Sequence, residues 1–227
     1  MRASCVPIDP MCSNDVVISK DMTLDGARVR LEPLDLRHAD DLLRNCSDAG
    51  LWEWTFQPNP FQTVESARAW AEHAIAAPDE VAFAIVDKAS GEAIGSTRYL
   101  DIAAAHRKLE IGWTFVAKAY WRTHVNTDSK ILLLSYAFDE AGISRVAFKA
   151  DAINARSRAA ILRIGATHEG TLRRFRIRPI DGDVRDVGFY SILRTEWPRV
   201  REALLRKAKS GIHVAGAVPP LGADIPA

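Results

Sequence analysis

The stretch Lys108-Leu109-Glu110-Ile111-Gly112-Trp113-Thr114-Phe115-Val116 alternates apolar with polar or small residues, the period of a half-buried β-strand. On this pattern Leu109, Ile111, Trp113 and Phe115 share one face, and Glu110, Gly112 and Thr114 share the other. A carboxylate beside a glycine within a strand fits a bulge or a close approach of ligand to backbone. The plainer reading leaves Glu110 in solvent and makes Gly112 a relief of crowding. Downstream, Tyr120-Trp121-Arg122-Thr123-His124-Val125-Asn126 leads into a helix expected to start near Thr127. Free N–H groups and the positive dipole end of such a helix suit phosphate or pyrophosphate. Arg122 and His124 would add charge there, and Asn126 and Thr127 polar contacts.

Outward from this pair the chain stays patterned in both directions. Upstream, 27–32 alternates as a strand after the turn pair Asp25-Gly26. Asp35 then caps a helix with Ala39, Leu42, Leu43 and Cys46 on one side, and Thr63 opens another with Ala67, Trp70, Ala71 and Ala74. An aromatic loop, Trp52-Glu53-Trp54-Thr55-Phe56, lies between them, and strands follow at 81–86 and 93–100. Downstream come a helix over 127–141 ended by Gly142, a strand at 145–150 and a helix over 154–164 stopped by Gly165. A hairpin of 168–177 and 184–193 around Asp181-Gly182 and a final helix from about 195 to 209 complete the set. Meander and single crossovers together predict an α+β class with a mixed, mostly antiparallel central sheet flanked by helices. The regular βαβ alternation and glycine turn of a doubly wound nucleotide fold are missing from the sequence.

Composition agrees with one domain. The 227 residues carry 30 Lys+Arg against 29 Asp+Glu, a net charge of +1 that gives no global pull toward DNA or an anionic membrane. Apolar residues reach 48%, and a chain of this length buries enough surface to fold without disulfides or metals. No apolar run approaches the roughly 20 residues of a membrane span, and the first residues lack the apolar core of a signal peptide. Cys5, Cys12 and Cys46 form no zinc spacing. The expectation is a cytoplasmic, metal-free protein with an irregular lead-in at 1–20, a single domain at 21–209 and an irregular tail at 210–227.

The sequence resembles the GNAT acyl-CoA N-acetyltransferases, and within them the RimJ/RimL-type branch. Glu110-Ile111-Gly112-Trp113, Trp121 to Thr127, Asn154-Ala155-Arg156-Ser157, Gly165-Ala166, Glu169-Gly170 and Tyr190-Ser191-Ile192 before Glu196-Trp197 carry the likeness, in the family's order. The resemblance implies a GNAT fold in which splayed strands form the CoA cleft. Acetyl-CoA would lie against Trp113, Thr114, Phe115 and Val116, its pyrophosphate held by Arg122, Thr123, His124, Val125, Asn126 and Thr127. Asn154 and Ser157 would contact the cofactor arm. Glu110 would be the general base that deprotonates the acceptor ammonium.

Two departures stand out. The family's phosphate-loop glycines are replaced by His124 and Asn126, and a Tyr that many relatives use to protonate the leaving thiolate is Ile161 here. Tyr190 or Ser157 would then be the acid, or the thiolate leaves unprotonated. The implied function is transfer of acetyl from acetyl-CoA to a primary amine, either a protein or peptide N-terminus or a small amine, with a homodimer left open. Two other classes remain: a CoA-binding module without catalysis, and an RNA- or ribosome-binding protein using Arg173, Arg174, Arg176, Arg178 and Arg185. Those arginines read more simply as a solvated face offset by Asp181, Asp183 and Asp186.

Overall fold

Asp35 accepts a hydrogen bond from the Arg37 N–H at 2.9 Å, and Thr63 from the Ser66 N–H at 3.1 Å. Both residues start helical segments, as their types favour. A computed structural model describes residues 18–210; Cys5, Cys12, most of the lead-in and nearly all of the tail lie outside the described residues. The strands are β1 (Leu24–Asp25), β2 (Val29–Pro33), β3 (Val81–Asp87), β4 (Ala93–Ala103), β5 (Lys108–Val116), β6 (Arg145–Asp151), β7 (Thr167–Ile177) and β8 (Val184–Leu193). The helices are α1 (Ala39–Cys46), α2 (Ala49–Trp52), α3 (Val64–Ala76), α4 (Val125–Ser135), α5 (Ala155–Arg163) and α6 (Trp197–Ser210).

One sheet of order β1-β2-β3-β4-β5-β6-β8-β7 runs through the molecule. Every neighbouring pair is antiparallel except β5 and β6, which are parallel and joined by the crossover through α4. That pairing is short, covering only Lys108↔Arg145, Leu109↔Val146 and Glu110↔Ala147. Beyond Glu110 the two strands separate, so the sheet opens into a V at its centre.

The helix expected over 127–141 begins two residues earlier, at Val125. It leaves α-helical geometry after Ser135 for a π-helical turn at Tyr136–Glu140. Gly142, at φ +67°, ends it.

The larger correction concerns β5. Its alternation holds only as far as Gly112. Arg98 pairs with Gly112 and Ser96 with Phe115, so Trp113 and Thr114 together oppose the single residue Thr97. This β-bulge, with Trp113 at φ +49°, reverses the faces of the residues after it. Thr114 now shares the α4 face with Thr97 and Lys130. Phe115 crosses to the opposite face and packs into a cluster with Trp52, Phe61 and Trp70, ring centroids 5.0 to 5.5 Å apart. Trp113, Phe115 and Ile111 therefore do not share one face.

Phe61, fully buried at the centre of that cluster, supports α2 and α3 against β5. Truncating it to alanine leaves a cavity that rigid ring neighbours fill poorly. Phe61→Ala is expected to lose about 3–5 kcal/mol of unfolding free energy, measured by urea denaturation. Cys46 fits the reading of a small buried hydrophobe, since burial pushes its thiol up to about 12.

Candidate active site

The V between β5 and β6 forms a cleft of about 910 Å³. At its apex Glu110 is 6% exposed. The register Glu110↔Ala147 puts Lys149, two residues on, on the same face. Lys149 Nζ lies 2.6 Å from Glu110 Oε2 and 3.0 Å from Asp101 Oδ2. A second bulge supplies Asp101: Asp101 and Ile102 oppose Leu109 alone, and Asp101 takes φ +49°. Gly112 leaves the space this cluster needs, because a Cβ there would fall 3.1 Å from Glu110 Oε1.

The electrostatics of the cluster favour a base. Burial raises the Glu110 carboxyl above the ordinary range, and the pull of Lys149 only partly opposes it. Glu110 Oε2 is buried, and its contact with Lys149 is an ion pair outside regular hydrogen-bond geometry. Asp101 shifts the other way, held low first by its hydrogen bond from Lys149. Two carboxylates around one ammonium thus split into a raised and a lowered member.

At the open end of the V lies the expected anion loop. Arg122 carries φ +61°, so an arginine holds the left-handed turn without the missing glycines, at about 1–2 kcal/mol of backbone strain. Trp121 folds back through its Nε1–H to the Val116 carbonyl at 2.9 Å, and Arg156 stacks 3.8 Å over the Trp121 ring. Arg122, Arg156 and Arg163 all line the cleft. Arg163 is held below its ordinary value by burial first and then by Arg122. Such a set of cations around a helix N-terminus suits a polyanion.

The sequence model of the acetyltransferase (GNAT) domain matches residues 28–167. The chain belongs to the GNAT acetyltransferase family. A GCN5-related N-acetyltransferase from Brucella melitensis superposes with a TM-score of 0.79 at 30% identity, over 83% of this chain and 86% of that one. A protein of T. thermophilus, provisionally named an acetyltransferase, gives 0.74 at 36% identity, over 82% and 96%. YdaF of Bacillus subtilis, provisionally named a ribosomal N-acetyltransferase, is 34% identical over 107 residues. That match covers 47% of this chain and 57% of YdaF.

Most of the residues picked from the GNAT motifs come together here. Glu110, Trp113, Thr114, Phe115, Val116, Arg122, Thr123, Asn126, Thr127, Asn154 and Ser157 all line the cleft. Three do not reach its wall. Val125 is fully buried in the first turn of α4, and His124 is not on the wall. Tyr190 is 1% exposed, packs on His168 and accepts a hydrogen bond from Arg158 Nε at 3.1 Å. Register explains it: Tyr190 pairs with Phe148 and His168 on β6 and β7, deep in the sheet. Asn154 Oδ1 accepts the Ser157 N–H at 2.9 Å as the cap of α5, which leaves its amide NH₂ for a ligand.

Among the hairpin arginines, the Arg178 side chain pairs with Asp181 and that of Arg185 with Asp183 and Asp151, while Asp186 accepts the Arg174 backbone N–H. Arg176 turns onto the Phe56 ring at 4.4 Å and lines the cleft. Among the described residues no group of three or more His, Cys, Asp or Glu could hold a metal, and no helix is long and apolar enough to cross a membrane. Motif reading missed Asp101, Lys149, Arg163 and Lys130. Only Lys130 left a local signal, a lysine three and four residues before Leu133 and Leu134, on the buried face of α4.

Proposed function

We propose that the chain transfers acetyl from acetyl-CoA to a primary amine, in the cytoplasm. The observation that carries this reading is the buried, basic Glu110 at the apex of a cleft whose other end is a cation-lined helix N-terminus. Acetyl-CoA supplies an activated acetyl thioester when bound. Arg122, the N–H groups of Asn126 and Thr127, and Arg163 hold its phosphates. The β5 edge freed from β6 beyond Glu110 pairs with the pantetheine arm, while the Asn154 amide orients it. Glu110 takes the proton of the acceptor ammonium, so that a neutral amine faces the thioester carbonyl. An N–H freed at the Trp113 bulge steadies the oxyanion.

The acceptor is read as a protein or peptide N-terminus. In support, YdaF is provisionally named a ribosomal N-acetyltransferase, and Trp54, Phe56 and Phe175 give the cleft an aromatic wall beside Arg176. A small amine is the competing acceptor. Calorimetric titration with acetyl-CoA tests the first half of the reading. Saturable one-to-one binding is expected, weakened about 10–100-fold by Arg122→Ala, the range for losing a charge-assisted bond. No heat at millimolar acetyl-CoA, or an affinity indifferent to Arg122, overturns it. Acetylated peptide products in mass spectrometry, against amine products from small acceptors, decide the second half.

A further inference from the structure

Lys130 is a cleft cation that the mechanism above leaves unused. It is 5% exposed and lines the cleft. Its Nζ donates to Thr114 Oγ1 at 2.8 Å, with Thr97 Oγ1 at 3.4 Å. Among the described residues it has no carboxylate within ion-pair distance. No charged group of β4, β5 or α5 acts on it, so burial alone lowers its pKa to about 7. Tyr99, two residues on from Thr97 in β4, donates its hydroxyl to the Leu133 carbonyl at 2.6 Å. A buried, unpaired ammonium is expensive to keep. It persists beside Thr114, the second residue of the bulge.

The leaving sulfur otherwise lacks an acid. Ile161 has no proton to give, and Tyr190 is sealed behind β6. Tyr120 lines the cleft, but its hydroxyl donates to Asp87 at 3.3 Å. Lys149 is tied to Glu110 and Asp101. Ser157 also lines the cleft, but a serine hydroxyl alone is a far weaker acid than a lysine ammonium. We propose that Lys130, acting through the Thr114 hydroxyl, is the proton source for the sulfur that departs in acetyl transfer, which rests on the acetyl-CoA reading of the cleft. The new bond joins acceptor nitrogen to acetyl carbon, and the carbon–sulfur bond breaks with its electron pair on sulfur. Thr114 Oγ1 passes a proton to that sulfur and takes one from Lys130 Nζ. The attacking nitrogen sheds its second proton to Glu110, which has passed the first to solvent, and the products are an amide, a thiol and a neutral lysine that solvent recharges. Lys130 is thus a positioning residue that holds charge and proton behind Thr114.

The test follows the thiol of bound CoA by its ultraviolet thiolate absorbance as pH rises. On the wild type the forming thiolate and the Lys130 ammonium stabilise each other and titrate as a coupled pair, so the thiol should ionise below the ordinary value of about 8.5. Lys130→Met should return it to that value or above, with kcat down by about 10²-fold. Lys130→Arg keeps the charge but yields no proton, so thiol ionisation should stay low while kcat stays depressed. Thr114→Val should depress kcat alike. Folding does not confound the test, because a buried charge replaced by an apolar side chain of similar volume is often neutral or stabilising. A thermal midpoint at or above wild type is expected for Lys130→Met. If CoA binds but its thiol ionises identically in wild type and Lys130→Met, or if Lys130→Arg restores full kcat, the Lys130 role falls while the cleft reading stands. If the wild type does not bind CoA, both fall together.

Discussion

Glu110→Gln lowers kcat/KM by about 10²–10⁴-fold, the range for removing a general base, and leaves acetyl-CoA affinity nearly unchanged. Glutamine keeps the shape of Glu110 and the space beside Gly112 but cannot accept a proton at neutral pH. The raised pKa of Glu110 makes it a stronger base than a solvated carboxylate, closer to the ammonium it must deprotonate. Below that pKa the carboxyl is protonated and idle, so wild-type kcat/KM should climb with pH through an acid limb above the ordinary carboxylate range. The variant should lose that limb. Stability moves little or upward. An acid whose folded pKa is raised gives stability below its unfolded pKa and loses it as pH rises through the folded one. Near neutrality the ionised Glu110 is therefore a burden that glutamine removes. Lys149 keeps Asp101 as a partner at 3.0 Å. Wild-type turnover in the variant, with an intact acid limb, would remove Glu110 from the chemistry.

The helices and strands were legible because each has a local cause. Thr63 and Asp35 are capping residues, Gly142 and Gly165 stop helices, and the buried positions of α1 and α3 repeat at helical spacing. The cleft was legible as a resemblance, since its motifs are contiguous in sequence. The features that stayed hidden depend on register across strands. Nothing in Gly112-Trp113-Thr114 reveals that two residues oppose Thr97 alone, so alternation put Thr114 and Phe115 on the wrong faces. Tyr190 looked available because its own strand does not show that β6 and β7 enclose it. The pairing of Lys149 with Glu110 exists only because β5 and β6 are parallel neighbours, 39 positions apart in the chain. Local pattern reaches the scaffold and stops short of the charges inside it.

Gly95→Ala should be the most destabilising single methyl in the molecule's centre. Gly95 of β4 pairs with Val116 of β5. A Cβ there would lie 2.3 Å from the Phe115 carbonyl oxygen and 3.0 Å from Val116 Cα. Both obstacles are backbone, so no rotamer change relieves them, and β5 must move away from β4 just beyond the Trp113 bulge. Losses of about 4 kcal/mol or more belong to this class of clash. For a chain of this size that is a fall of roughly 8–16 °C in thermal midpoint. Gly91→Ala is the control, because φ is +77° there but no atom lies within 4 Å of the added methyl. Its penalty should be about 1 kcal/mol, from left-handed backbone strain alone. The displaced β5 would also carry Thr114 away from Lys130 and shift the edge that receives the pantetheine arm. Acetyl-CoA affinity should therefore fall in Gly95→Ala under conditions where it remains folded, and hold in Gly91→Ala. Equal losses of stability in the two variants would mean that β4 and β5 yield freely at this point, and that the bulge is not fixed by their close approach.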